Sequence, residues 1–138
     1  MELAKTPPFR LDGRRALITG AGRGIGLAAA TALAEAGAAV TLISRTASET
    51  GAAADAITEA GGKADTLVLD ITDTAAMEAA ISAAGPFDIL INNAGTNRPK
   101  TMARTTEDDY DTIMDLNVRA AYFVSRAVTN GLIAAGKS

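Results

Sequence analysis

The stretch Thr19-Gly20-Ala21-Gly22-Arg23-Gly24-Ile25-Gly26 decides the fold of this chain. It follows a short apolar run, 15–19, and precedes apolar residues at helical spacing as far as Ala36. Glycines at such a junction let an anion approach the backbone, and the N-terminus of the following helix offers free N–H groups and partial positive charge. The stretch therefore predicts a phosphate-binding turn between a first strand and a first helix.

The rest of the sequence continues this alternation of strand and helix. Strands are predicted at 15–19, 39–43, 64–69 and 88–92, and helices at 25–36, 48–60, 74–84 and 106–135. Ser48 and Thr106 stand where helix N-caps are expected and Gly37 where a helix ends, and a kink in the long last helix is left open. Short apolar strands joined by helices favour an α/β fold, a Rossmann-like doubly wound parallel sheet with strand order 3-2-1-4. We expect this half-domain to cover residues 14–138, after a loose arm at 1–13.

The composition excludes several kinds of site. The 138 residues include no cysteine and no histidine, which rules out disulfides, thiolate metal sites and catalytic triads that use histidine. A formal net charge of -3 argues against a nucleic-acid partner. No apolar run approaches the ~20 residues of a membrane span, and the charged start lacks the apolar core of a signal peptide. We therefore expect a cytoplasmic protein with no metal site and no membrane partner.

The glycines of the turn follow a particular spacing. Thr19, Gly20, Gly24 and Gly26 give T-G-x-x-x-G-x-G, whereas the widespread dinucleotide motif is G-x-G-x-x-G. In this spacing the sequence resembles the short-chain dehydrogenase/reductase family, and the resemblance covers nearly the whole chain from about Arg10. It implies the nucleotide-binding N-terminal half of such an enzyme, although a tight turn that binds no ligand is the alternative. The cofactor contacts that it implies in the turn are Gly20, Arg23, Gly24, Ile25 and Gly26.

The end of the predicted second strand indicates which dinucleotide is bound. Units that bind NAD carry an acidic residue there, and it holds the ribose hydroxyls. This sequence has Ser44 and Arg45 instead, and Arg23 lies within the glycine turn. A guanidinium group binds phosphate through its charged fork, and family members that use NADP(H) are similar at both positions. NADP(H) is therefore favoured over NAD(H), although both arginines could also be solvated surface cations.

The tetrapeptide Asn92-Asn93-Ala94-Gly95 follows the predicted fourth strand. It matches the N-N-A-G motif of the same family in full. The resemblance implies that Asn92, Ala94 and Gly95 support the sheet and lie beside the adenosine ribose of the cofactor. Small residues such as alanine and glycine allow the cofactor to approach the backbone closely at such a position.

Two further positions acquire a role only through the resemblance. Asp70 ends the predicted third strand, and in the family this residue and the backbone of the next one, here Ile71, contact the adenine ring. Asn117 lies in the long helix, where the family places an asparagine of the catalytic proton relay. Taken alone, Asp70 is more typical of a turn and Asn117 of a helix surface.

The catalytic pair of the family is not found in this sequence. That chemistry uses a serine and a Tyr-x-x-x-Lys pair, in which the tyrosine exchanges a proton with the substrate oxygen. Here Tyr110 is followed four positions later by Met114, and Tyr122 by Arg126. The implied parent enzyme transfers hydride between the cofactor and a small alcohol or ketone, whereas this chain alone should show negligible hydride transfer. The alternatives are a dinucleotide-binding module without catalysis and a flavodoxin-like interaction domain without nucleotide.

The sequence also predicts self-association. The fourth strand would be an apolar sheet edge, and such edges invite pairing with another chain. In the family the long helix packs between subunits, so a homo-oligomer is expected. The apolar stripe of this helix consists of Val118, Ala121, Tyr122, Val124, Ser125, Val128 and Leu132.

Overall fold

A computed structural model of the chain describes Met1 and residues 8–137. The strands are β1 (Arg15–Thr19), β2 (Ala39–Ser44), β3 (Lys63–Val68) and β4 (Ile89–Ile91). The helices are α1 (Gly24–Glu35), α2 (Ala47–Glu59), α3 (Thr74–Ala84), α4 (Glu107–Met114) and α5 (Ala121–Ala134). The four parallel strands form one sheet in the order β3-β2-β1-β4, which confirms the predicted Rossmann-like order. A flavodoxin-like sheet would place β3 beside β1, so the observed order excludes that alternative.

The two central strands, β1 and β2, hold the core of the sheet. Successive residues of a strand point to opposite faces. Ala16 and Ile18 of β1 therefore pack beneath α1 and α2, whereas Leu17 packs beneath α3 and α5, and all three are fully buried. The edge strands β3 and β4 are more exposed, because each has one neighbouring strand among the residues described. None of the helices in this part of the chain is long and apolar enough to cross a bilayer.

Helix α1 packs on the sheet through its smallest residues. Gly26, Ala30 and Ala34 are buried, whereas Ile25 is 83% exposed. The three buried residues are four positions apart and so lie on one face of the helix. Because alanine recurs on every side of α1, apolar periodicity alone does not show which face is buried. The small side chains let the helix backbone approach the sheet, which brings the helix N-terminus to the end of β1.

The start of α2 differs from the prediction. The helix begins at Ala47, and Thr46 rather than Ser48 occupies the N-cap position. The Thr46 N–H donates to the hydroxyl of Ser44 at 3.2 Å, which turns the chain two residues earlier than the sequence pattern suggested. Ser48 therefore lies inside the first turn of the helix and does not cap it.

Strand β4 is shorter than predicted, because Asp88 and Asn92 fall outside it. The Asp88 carboxylate accepts the N–H of Arg15 at 2.9 Å and a hydrogen bond from Lys137 at 3.0 Å. These bonds hold the pKa of Asp88 below its usual range, with the Arg15 N–H as the larger cause. The Asp88 side chain thus joins the start of β4 to β1 in addition to the backbone bond from the Asp88 N–H to the Arg15 oxygen at 2.8 Å.

The predicted loose arm is anchored at its end. Arg10 donates to the Asp12 carboxylate and, at 3.1 Å, to the backbone oxygen of Glu35. The arm ends in a turn at Asp12-Gly13, with Gly13 in the left-handed region at φ 76. Residues 2–7 of the arm lie outside the described residues.

The long C-terminal helix is interrupted at its middle. A π-helical turn, Asp115–Ala120, joins α4 to α5, so the bend that the sequence left open takes the form of a widened turn. The apolar stripe of this helix is divided: Val124 and Val128 are buried within the chain, whereas Val118 and Tyr122 are exposed. Self-association through the exposed part of the stripe stays a prediction.

Replacing Met77 by alanine tests the core between α3 and the sheet. Met77 is fully buried and Met102 is 93% exposed, so the two methionines form a matched pair. We expect Met77→Ala to lower the free energy of unfolding by roughly 2–5 kcal/mol, from lost burial and the cavity left behind. Met102→Ala should change it by less than about 0.5 kcal/mol. Urea unfolding followed by circular dichroism measures both values, and equal effects would contradict this packing.

Candidate functional site

A cleft of about 440 Å³ opens at the carboxyl ends of β1, β2 and β4. Its walls are the turn between β1 and α1, the connection from β2 to α2, residues 69–71 after β3, and residues 93–95 after β4. The strand order reverses at β1, because the chain passes from β1 to β2 and β3 on one side and then returns to place β4 on the other side. Open α/β sheets bind their ligands at such a switch point.

The turn between β1 and α1 is built from glycines in conformations that other residues avoid. Gly20 has φ 65 and Gly24 has φ 58, both in the left-handed region. A Cβ added to Gly26 would lie 2.5 Å from the Asn93 Nδ2 and still closer to the carbonyl oxygen of Gly20. The backbone of α1 therefore reaches the turn only because position 26 has no side chain.

Thr19 and Asn93 hold this turn against the end of β4. Asn93 Nδ2 donates to the backbone oxygens of Thr19 at 3.1 Å and of Gly20 at 3.0 Å. The buried Thr19 Oγ1 accepts the N–H groups of Asn93 and Ala94, each at 3.1 Å. Neither residue was among the site residues predicted from the sequence. The signal was available, since Thr19 opens the glycine motif and Asn93 lies in the N-N-A-G motif.

The three residues of the N-N-A-G motif that were predicted to contact the cofactor lie in two different places. Ala94 and Gly95 line the cleft, together with Asn93. Asn92 lies outside it, and its amide Nδ2 donates to the Ser125 hydroxyl at 2.9 Å. Asn92 thus joins β4 to α5, and contact of these three residues with a ribose stays a prediction.

At the end of β2, Ser44 and Thr46 have different surroundings. The Ser44 hydroxyl accepts the Thr46 N–H, and it is also hydrogen-bonded to the hydroxyl of Thr50. Ser44 therefore lines the cleft but is already engaged in forming the turn. Thr46 lines the cleft as well, and its hydroxyl has no hydrogen-bond partner among residues 8–137. Thr46 was not predicted, because its role depends on where α2 begins.

Two arginines are the cations that line the cleft. Arg23, from the glycine turn, and Arg45, from the end of β2, both line the cleft and are exposed. Neither forms an ion pair with another residue in the part of the chain that the structure describes. Exposed cations without partners near a helix N-terminus are suited to bind an anion.

The far wall of the cleft contains the predicted adenine contacts. The Asp70 Oδ1 accepts the N–H of Thr72 at 2.9 Å and its hydroxyl at 2.7 Å. These hydrogen bonds, with a smaller contribution from Arg45, hold the pKa of Asp70 below its usual value. Ile71 is buried in the core beneath, whereas Ile25 stands exposed at the mouth of the cleft. Asp70 thus has the turn geometry expected from its sequence and also borders the cleft.

Asn117 lies in the π-helical turn and holds the loop that follows Gly95. Its Oδ1 accepts the N–H of Thr96 at 2.8 Å, and its Nδ2 donates to the Thr96 oxygen at 2.9 Å. π-turns within α-helices are frequent at functional sites. Asn117 does not line the cleft. It contacts the loop above the cleft, and its catalytic role stays a prediction.

A second anchor holds the other end of this loop. Asp109 is 2% exposed and accepts hydrogen bonds from Lys100 at 2.6 Å, Arg98 at 3.3 Å and the N–H of Thr106 at 3.0 Å. Thr106 caps α4 as predicted and completes a capping box with Asp109. The Lys100 ammonium is the largest cause that holds the pKa of Asp109 far below its ordinary value. We call Arg98, Lys100, Thr106 and Asp109 the Asp109 cluster.

A larger groove, of about 600 Å³, lies at the amino ends of β2 and β3. Arg10 and Asp12 line it and form an ion pair with each other. The glycines that line it follow the C-terminal ends of α1 and α2, where the helix dipole is negative, so it offers no comparable anion site. Within residues 8–137 no group of three or more acidic side chains is placed to hold a metal ion.

The substitution Gly26→Ala tests the close approach in the glycine turn. The added methyl group would overlap Gly20 and Asn93, and we expect a loss of roughly 1–3 kcal/mol in the free energy of unfolding. Gly51 is the matched control, because it lies in α2 and a Cβ there meets no atom within 4 Å. Gly51→Ala should stabilise the chain by roughly 0.5–1 kcal/mol. Thermal unfolding measures the change in the free energy of unfolding for both variants. Changes of the same sign would contradict the close approach of Gly26 to Gly20 and Asn93.

Acid unfolding tests the Asp109 cluster. Because the folded-state pKa of Asp109 lies below the ordinary 3.8, its charged form stabilises the fold above that pH. This contribution is lost as the pH falls through the lower folded-state value. We expect Asp109→Asn to be less stable than the parent chain at pH 7 and to lose less stability on acidification. Unfolding curves between pH 7 and pH 2 measure this, with the exposed Asp111→Asn as the control that should follow the parent chain.

Comparison with known proteins agrees with this architecture. A family model described as short chain dehydrogenase matches residues 14–138. D-erythrulose reductase of Gallus gallus is 43% identical over 130 residues, which make up 94% of this chain and 51% of that protein. Gluconate 5-dehydrogenase of Gluconobacter oxydans is 43% identical over 133 residues, or 94% of this chain and 52% of that protein.

Solved structures agree as well. The crystal structure of a gluconate 5-dehydrogenase from Burkholderia cenocepacia, in complex with NADP and tartrate, matches with a TM-score of 0.87 and 42% identity. The match covers 94% of this chain and 52% of that one. The chain spans about half the length of these relatives. With its fold, its glycine turn and its sequence in agreement, this chain belongs to the short chain dehydrogenase family.

Proposed function

We propose that this chain binds NADP(H) and forms the nucleotide-binding portion of an oxidoreductase. The observation that carries the proposal is one cleft in which a glycine turn, a helix N-terminus and two cations without ion-pair partners among the described residues meet. Bound NADP(H) supplies or accepts a hydride, and the proposed substrate is a small alcohol or ketone. The names of the relatives, D-erythrulose reductase and gluconate 5-dehydrogenase, support that substrate class.

The diphosphate of the cofactor would lie at the N-terminus of α1. Arg23 occupies the N-cap position and makes no side-chain capping bond, so the first N–H groups of the helix are left for a ligand. Gly20 and Gly24 border the cleft and present no side chain there. Anion binding at such a terminus combines direct N–H donation with the helix dipole.

The adenosine ribose would lie at the end of β2, beside Ala94 and Gly95. Its 2′-phosphate is proposed to bind Arg45, Arg23 and the free hydroxyl of Thr46. No acidic residue stands at the end of β2 to accept hydrogen bonds from a 2′-hydroxyl. This charge arrangement supports NADP(H) over NAD(H), and the NADP complex of the Burkholderia relative supports a nicotinamide dinucleotide. Asp70 and the Ile71 backbone are the proposed adenine contacts.

The proposed reaction divides its tasks between two parts of the parent enzyme. Residues of this chain bind and orient the dinucleotide, and Asn117 positions the loop after Gly95. These 138 residues contain no Tyr-x-x-x-Lys pair, so the proton donor is assigned to residues outside this sequence. The same observation keeps a dinucleotide-binding module without catalysis as the second candidate.

A homo-oligomer is proposed for the parent enzyme. The exposed apolar side chains of Val118 and Tyr122 lie next to each other on one side of the C-terminal helix. Contact between two copies would remove this apolar surface from water.

Dinucleotide titration of the 138-residue chain tests the proposal. Calorimetry, or the change in the fluorescence of the reduced nicotinamide on binding, gives Kd for NADPH and NADH, and NADPH should bind more tightly. Arg45→Gln should raise the Kd for NADPH by about 10- to 100-fold, as expected for loss of charged hydrogen bonds, with little change for NADH. Arg104→Gln, an arginine outside the cleft, should change neither value. A chain that binds neither dinucleotide would refute the proposed function.

A further inference from the structure

We propose that Glu49 opposes the 2′-phosphate and so limits the preference of this cleft for NADP(H) over NAD(H). The inference rests on the proposed function, because it concerns the same cleft. It adds a determinant of specificity that lies on α2, away from the strand end where the acidic residue of NAD-binding units is found.

Glu49 lies in the first turn of α2 and lines the cleft. A Cβ built on Gly22 would be 3.0 Å from the Glu49 Cβ and 3.3 Å from its Oε2. The same point is 3.4 Å from the Ser44 Oγ. The carboxylate therefore lies against the glycine turn, on the side of the cleft where β2 ends.

No cation neutralises this carboxylate within residues 8–137. Glu49 takes part in none of the ion pairs there and accepts no side-chain hydrogen bond, although Arg23 and Arg45 line the same cleft. An acid in the first turn of a helix is stabilised by the helix dipole. That effect explains why a glutamate is tolerated at this position, but it does not require the side chain to lie against Gly22.

The charge of the ligand decides what Glu49 does. A phosphate monoester carries about 1.5 to 2 negative charges at neutral pH, and like charges in a partly desolvated cleft repel more strongly than in water. The 2′-hydroxyl of NAD(H) carries no charge and can donate a hydrogen bond to a carboxylate. Both dinucleotides carry the diphosphate, so its repulsion by Glu49 is common to them, and the 2′-phosphate adds a repulsion that only NADP(H) experiences. Glu49 therefore weakens NADP(H) binding more than NAD(H) binding.

Gly22 has a part in this arrangement. A side chain at position 22 would meet Glu49 and Ser44, so the glycine leaves room for the carboxylate beside the turn. The charged side chains that line the cleft are two cations, Arg23 and Arg45, and two carboxylates, Glu49 and Asp70, and the Asp70 carboxylate is already hydrogen-bonded to Thr72. The ratio of the Kd values for the two dinucleotides depends on attraction by the arginines and repulsion by Glu49. A substitution that removes one of these charges can therefore change the ratio.

The test measures Kd of the 138-residue chain for four ligands: NADPH, NADH, 2′,5′-ADP and 5′-AMP. Glu49→Gln keeps the shape of the side chain and removes its charge. We expect the Kd for NADPH and 2′,5′-ADP to fall by roughly 3- to 10-fold more than the Kd for NADH and 5′-AMP. The gain should shrink as salt is raised, because screening weakens interactions between charges.

Two variants serve as controls. Glu59→Gln removes the same charge from the exposed last residue of α2, ten positions on from Glu49, and should leave all four Kd values unchanged. Glu49→Asp retains the charge and should keep the ligand preference of the parent chain. Thermal unfolding of each variant shows whether it is folded.

The outcomes separate this inference from the proposed function. If the parent chain binds neither dinucleotide, both are overturned. If it binds NADPH and Glu49→Gln leaves the ratio of the two Kd values unchanged, or weakens all four ligands alike, only the role of Glu49 is overturned. A ratio shifted toward NADPH by Glu49→Gln and by neither control supports it.

Discussion

The hydrogen bonds between Thr19 and Asn93 are the constraint on which the cleft depends. A turn made of glycines has no side chains with which to fix its own shape, so its conformation must be set by neighbours. Here the Asn93 side-chain amide donates to the carbonyl oxygens at the start of the turn, while the Thr19 hydroxyl accepts the N–H groups of Asn93 and Ala94, which follow β4. Buried polar groups that are fully paired in this way rigidify their surroundings. The end of β1 and the end of β4 thereby become one unit.

The charges of the cleft follow from this geometry. Once the turn is fixed, the N-terminus of α1 points at the space between β1 and β2, and Arg23 is carried with it. The connection after β2 brings Arg45 and Thr46 to the same space, because the Ser44 hydroxyl holds the turn there. Glu49 arrives on the first turn of α2. The connections after β1 and β2 therefore bring Arg23, Arg45, Thr46 and Glu49 to the same cleft.

The features that the sequence predicted well are local or periodic. The T-G-x-x-x-G-x-G spacing, the alternation of strand and helix and the Thr106 cap each depend on residues close together in the chain. Asn93 and Thr19 were missed because their contact joins positions 74 apart, which no periodicity reveals. Thr46 and Glu49 were missed for another reason: their orientation depends on the residue at which α2 begins, and the predicted cap at Ser48 placed that start too late. The sequence also did not predict which face of α1 is buried, because alanines occur on every face of this helix.

The loop above the cleft is fastened at two points, by Asn117 at Thr96 and by the Asp109 cluster at residues 98–106. Neither fastening uses a residue that lines the cleft. A substitution in the loop that spares these two sets of contacts therefore changes the surface above the cleft and leaves the residues that line the cleft in place.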